Sequence, residues 1–287
     1  MELDRSESRA MRGSIINYVK KNKLVLLAVL ILGLIGGSAV LGPIIYPTSP
    51  VAIDLDSIKS PPSLQYPCGT DSKGRDILSR IIYGARISLC ISVCAAAFSL
   101  FIGLVFGLLA GYCGGKIDTA LSVIIDITLA FPALLLAIAI TVILPPGIYT
   151  VILALSLVGW ATFARLIRGM TISHKDSLFV EASRSIGCSH PRIIIRHILP
   201  NCLSTIFVAV SLKMGNFILA ESALSFLGLG VQPPTPTWGA MVGLNRIYIH
   251  SAPWMIIFPG FAIAITAFAF NILGDALRDY LDPHLQV

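Results

Sequence analysis

The chain has 287 residues, 55% of them hydrophobic and only 13% charged, with a mean hydropathy of +0.84. Soluble domains carry about 25% charged residues, so the composition excludes an ordinary water-soluble enzyme or binding module and indicates an all-α protein that crosses a membrane repeatedly. The net charge of +6 is divided among segments separated by apolar runs, which makes it a topology signal rather than a nucleic-acid footprint.

At about 20 residues per span, six stretches qualify: 24–45, 87–111, 119–144, 149–169, 203–226 and 254–274. Residues 1–23 form a charged N-terminal tail in which Ser14–Lys23 suits an interfacial helix. The run Gly36-Gly37-Ser38-Ala39 could end a cleaved signal peptide, but the apolar stretch continues to Ile45, which favours an uncleaved anchor. An external segment, 46–85, follows. Its first part, 46–68, is rich in Pro, Ser and Asp and reads as a loop without a core of its own. Beyond Asp76, Ile77, Leu78, Ile81 and Ile82 share one side while Arg75, Ser79 and Arg86 point the other way, predicting a helix that lies on the outer surface and leads into the second span.

The main membrane-spanning region covers 86–280. Gly103, Gly107 and Gly111 recur every fourth residue, a small-residue ridge for close helix approach. Phe131-Pro132 interrupts the third span near its middle, with Asp118 and Asp126 toward the end that begins at 119. The polar stretch Leu178–Pro200 predicts a hairpin: an amphipathic helix stopped at Gly187, then a second short helix from Pro191 carrying Arg192 and Arg196, closed by Pro200. Lys213, Asn216 and Glu221 interrupt the apolar fifth span. A charge at bilayer depth costs about 2.5–3.5 kcal/mol on insertion scales, so these three indicate a path or a partner interface, unless Lys213 snorkels and Glu221 reaches the outer surface. Trp238 follows in an outer loop, where a belt role is the ordinary reading. Asp275, Arg278, Asp279 and Asp282 are spaced for ion pairs along the last helix end. Residues 281–287 form a C-terminal tail.

Basic residues set the orientation. With the N-terminus inside, Arg5, Arg9, Arg12, Lys20, Lys21, Lys23, Lys116, Arg165, Arg168, Lys175, Arg184, Arg192, Arg196 and Arg278 are cytoplasmic, against Lys59, Lys73, Arg75, Arg80, Arg86 and Arg246 outside. Both termini and the hairpin at 178–200 are therefore expected in the cytoplasm. The six cysteines include no C-x-x-C pair and the histidines are scattered, so no metal site is expected. Gly114-Gly115-Lys116 lacks the upstream Gly and the following Ser or Thr of a P-loop, and no catalytic constellation is evident.

The string Glu181-Ala182-Ser183, three residues, Gly187, nine residues, then Leu199-Pro200 two places further on resembles the EAA loop of ABC importer permeases. Ser183 stands where that pattern has its second Ala, and His197 where it has Ile. The His197-Ile198-Leu199-Pro200-Asn201 ending is similar to the dipeptide, oligopeptide and nickel branch, as are GTDSKGRDILSRIIYGARISL from Gly69 and the stretch from Ser225 to Met241. The resemblance implies a type I ABC importer permease fold of about six transmembrane helices in a cell (inner or plasma) membrane. It implies a second, homologous permease, two ATPase subunits and an external substrate-binding protein as partners, and no nucleic acid. ATP and Mg would sit on the ATPases, with no cofactor on this chain. Glu181, Ala182, Gly187, Arg192, Leu199 and Pro200 would couple to the ATPases, Lys213, Asn216 and Glu221 would line the path or the permease interface, and Trp238 and Gly239 would meet the binding protein. Peptides are the expected cargo, with nickel or a metal chelate as the alternative. An ion-coupled secondary transporter fits less well, because it would commonly show inverted repeats and would have no use for the hairpin.

Overall fold

The computed structural model describes residues 22–281. Residues 1–21, with most of the expected interfacial helix from Ser14, and residues 282–287, with Asp282, lie outside the described residues. Among the described residues ten α-helices follow in chain order: α1 (Lys23–Ile45), α2 (Ile77–Cys113), α3 (Gly115–Ala130), α4 (Ala133–Ile143), α5 (Ile148–Lys175), α6 (Leu178–Ser185), α7 (His190–Ile193), α8 (Leu199–Phe226), α9 (Trp238–Asn245) and α10 (Trp254–Leu281). Among the described residues five helical runs are long and apolar enough to cross a membrane, and a sixth is counted if the bent pair α3–α4 is one span.

Helices α2 and α5 form the centre. A Cβ on Gly103 would lie 2.5 Å from Phe163 Cβ, one on Gly107 2.7 Å from Ala164 O, and one on Gly111 2.6 Å from Thr171 Cβ. The ridge read from the sequence therefore lets α2 and α5 approach closely. Ser99 Oγ adds a hydrogen bond to Ser156 O at 3.2 Å. Helix α1 packs on α2 and α10 and presents Leu30, Leu34 and Ile44 outward, as a span bathed in lipid would.

Three expectations change. The helix meant to lie on the outer surface is instead the first turns of α2, one 37-residue helix capped by Asp76, whose carboxylate accepts from Leu78 N and Ser79 N. Apolar residues continue in helical register through Gly84, so nothing in the backbone ends the helix there. The third span is broken more sharply than a kink: α3 and α4 meet at 89°, because the residue before a proline is pushed to an extended conformation, as Phe131 is.

Third, the segment expected to be an external loop does have an interior. Asp71 is buried and accepts from Lys73 N, Arg75 N and Arg75 Nε at 2.8, 3.0 and 2.7 Å. Arg80 Nε lies 3.7 Å from it, and Arg80 Nη1 donates to Pro50 O at 2.7 Å. Beside this polar knot, Cys68 packs against Ile77, Met241, Ala252 and Met255. Two cations around one enclosed carboxylate fold the loop into a cap over one end of the bundle.

Candidate functional site

The hairpin lies at the opposite end from that cap. Helix α6 ends in a Schellman motif: Cys188 N bonds to Ser183 O at 3.1 Å and Gly187 N to Arg184 O at 2.9 Å, with Gly187 at φ +81°. A Cβ on Gly187 would meet nothing within 4 Å, so the backbone conformation alone requires glycine there. Val180, Ile193 and Ile198 are fully buried and join Phe163 and Ile167 of α5 and Cys202 and Ile206 of α8 in one apolar cluster. This cluster anchors the hairpin. Glu181, Ala182, Arg184, Ser185 and Ile186 remain exposed on the hairpin's outer side. Ser183 faces inward and its hydroxyl donates to Phe179 O at 2.7 Å, which explains how a polar residue occupies an alanine position.

The second arm is not the short helix expected from Pro200. It runs from α7 through a π-helical turn, Ile194–Ile198, into α8, so that His190–Phe226 is one helical run. Leu199 N reaches back to Ile194 O. The widened turn accommodates a proline whose ring would otherwise press on the carbonyl four residues earlier. Arg192, Arg196 and Pro200 are exposed and Leu199 is half-buried. Sequence reasoning also missed Tyr112: its hydroxyl lies 2.7 Å from His190 Nδ1, the Arg184 guanidinium stands 5.7 Å from its ring, and it thus ties the end of α2 to both arms.

A polar face continues up the bundle. Arg168 pairs with Asp118 through two hydrogen bonds of 2.5 and 2.8 Å, and Arg165 with Asp126 at 2.6 Å, holding α3 against α5. Lys213 Nζ donates to Thr162 Oγ1 at 3.2 Å and lies 5.8 Å from the Phe217 ring centroid. Asn216 is exposed one turn on. Thr162 and Arg165 sit three residues apart on one helix face, a spacing legible in the sequence but not singled out there. The expected ion pairs at the end of α10 are absent among the described residues; Arg278 instead lines a groove of about 550 Å³ with Leu166, Ser204, Thr205, Ala209 and Leu212.

Glu221 and Trp238 are placed differently from expectation. Glu221 is completely enclosed by its own chain, accepting from Ser225 Oγ at 2.7 Å and Ser222 Oγ at 3.5 Å, with the Ser88 and Thr237 hydroxyls beside it. It therefore neither reaches the outer surface nor lines a path in this conformation. Trp238 is 1% exposed and donates from Nε1 to Ile81 O at 3.0 Å. A Cβ on the buried Gly239 would lie 2.5 Å from Ser222 Cα. Both residues fix α9 onto α2 and α8 and offer no surface to an external protein.

Residues 103–287 match the family described as binding-protein-dependent transport system inner membrane component. The chain is 42% identical over 268 residues to a dipeptide transport system permease protein of Alkalihalophilus pseudofirmus, covering 93% of this chain and 88% of that one. It is 47% identical over 233 residues to a glutathione transport system permease protein of Escherichia coli, covering 81% and 77% respectively. Among solved structures, the inward-facing MetNI methionine ABC transporter superposes with TM-score 0.56 at 18% identity, covering 70% of this chain and 96% of that one. An amino acid ABC transporter with histidines superposes with TM-score 0.55, also at 18% identity, covering 71% and 95%. These likenesses show the fold of ABC importer permeases, the architecture expected from the spans and the hairpin.

Proposed function

Because the chain belongs to the binding-protein-dependent transport system inner membrane component family, and so is a multi-pass transport subunit rather than an enzyme, we propose that it forms one half of a path for short peptides. A second, homologous permease supplies the other half, an external binding protein delivers the cargo, and two ATPase subunits holding ATP and Mg²⁺ grip the hairpin from the cytoplasm. The dipeptide and glutathione relatives support a peptide cargo. The observation that carries the reading is the hairpin itself: anchored inward by Val180, Ile193 and Ile198, it exposes Glu181, Ala182 and the Gly187 turn as a rigid docking surface. With the hairpin cytoplasmic, the cap around Asp71 faces outward, and both termini lie inside.

Affinity purification of the tagged chain should bring down a P-loop ATPase and a second permease, and vesicles containing that assembly should take up a labelled dipeptide only with ATP on the hairpin side. Absence of an ATPase, or uptake independent of ATP, overturns the reading. A cysteine introduced at the exposed Ser185 should react with an impermeant thiol reagent only from the hairpin side of intact membranes, and labelling from outside reverses the orientation.

A further inference from the structure

We propose that Lys213, with Thr162 and Asn216, forms a subsite in the membrane for the carboxylate of the peptide cargo, an inference that rests on the function proposed above. No carboxylate lies within 4 Å of Lys213 Nζ among the described residues, and its one hydrogen-bond partner is the neutral Thr162 hydroxyl. The acids that could have served are engaged elsewhere: Asp126 with Arg165, Asp118 with Arg168, and Glu221 inside its own cluster of hydroxyls. Lys213 is only half-buried, and Thr162 and Asn216 beside it are exposed. A cation and two polar side chains on the outer face of apolar spans have to meet water or protein, because lipid tails offer them no hydrogen bonds.

The surroundings favour water. One turn toward the hairpin, Leu166, Ala209 and Leu212 border the open groove that also contains Ser204, Thr205 and Arg278, so a second cation lies along the same avenue. An ammonium with a hydroxyl acceptor on one side can direct its remaining donors at a carboxylate. Asn216 carries both a donor and an acceptor, the complement of a peptide amide, and among the described residues no hydrogen bond occupies its side chain. The named cargoes of the two relatives, a dipeptide and glutathione, share a free carboxylate.

The test uses the assembled importer in lipid vesicles, with Ala209→Cys as a reporter in the adjoining groove and labelling at that position read by mass spectrometry. The ratio of rates for an anionic and a cationic methanethiosulfonate should fall about threefold or more with Lys213→Met and be retained with Lys213→Arg, the size expected for one charge acting through partly aqueous surroundings. Alanyl-alanine should slow labelling in the Lys213 chain but not in Lys213→Met, and its C-terminal amide should slow neither. An unreactive cysteine, a rate ratio indifferent to Lys213→Met, or equal protection by acid and amide overturns the subsite. Loss of the second permease from Lys213→Met but not from Lys213→Arg assigns the lysine to an acid on that permease and also overturns it. Failure here with normal ATP-driven dipeptide uptake leaves the proposed function standing, whereas failure of uptake removes that function itself.

Discussion

Tyr112 and His190, 78 positions apart in sequence, are joined side chain to side chain at 2.7 Å, which links the end of α2 to the first turn of the hairpin's second arm. Because α7 runs on through the π-helical turn into α8, this contact also fixes the lower end of the helix that carries Lys213 and Glu221.

Tyr112→Phe removes one hydrogen bond worth about 1 kcal/mol and keeps the ring against Arg184. The variant should insert normally, retain the ATPase, and lose several-fold of ATP hydrolysis stimulated by the loaded binding protein. Unchanged stimulation in reconstituted vesicles would show that the tie does not hold the hairpin under load.

Gly187→Val should damage coupling more than Glu181→Ala. The first forces a β-branched residue into a left-handed conformation that costs L-residues about 1–2 kcal/mol, although open space surrounds the site, and it distorts the turn that orients every contact. The second removes one exposed carboxylate. Uptake and ATPase retention, measured for both variants at matched membrane levels, check the order.

Asp71→Ala leaves Arg75 and Arg80 buried without their shared acid and should destabilise the chain by about 3–5 kcal/mol. Asp126→Ala disrupts an exposed pair and should cost no more than about 1 kcal/mol. Thermal unfolding of the two variants in the same detergent distinguishes these outcomes, and equal losses would contradict the cap's dependence on Asp71.

Gly107→Val inserts a branched side chain where even a Cβ would stand 2.7 Å from the backbone of α5. Overpacking of this kind costs about 1–3 kcal/mol or more, and the yield of monodisperse protein should drop sharply. Gly169→Val, on the same helix pair but with nothing within 4 Å of its Cβ, should be tolerated.

The spans, the glycine ridge and the hairpin with its Gly187 turn were legible in the sequence because each rests on a local quantity: hydropathy over about 20 residues, a four-residue period, a backbone that only glycine adopts readily. The placement of the polar residues was not. Lys213 and Glu221 look alike in sequence, each one charge in one apolar helix, yet the first lies half-exposed beside Thr162 and the second is sealed among Ser88, Ser222, Ser225 and Thr237. Trp238 likewise turns inward to a partner on another element, Asp71 gathers Arg80 of α2 besides Arg75 of its own loop, and Pro200 rides within a helix that a local rule ends. Composition determines that a polar group in an apolar helix needs a partner, but which partner it finds depends on how that helix is rotated and what packs against it. Only the tertiary structure decides this, since the partners include groups from distant segments, Thr162 for Lys213 and Ser88 for Glu221, besides near neighbours such as Ser225.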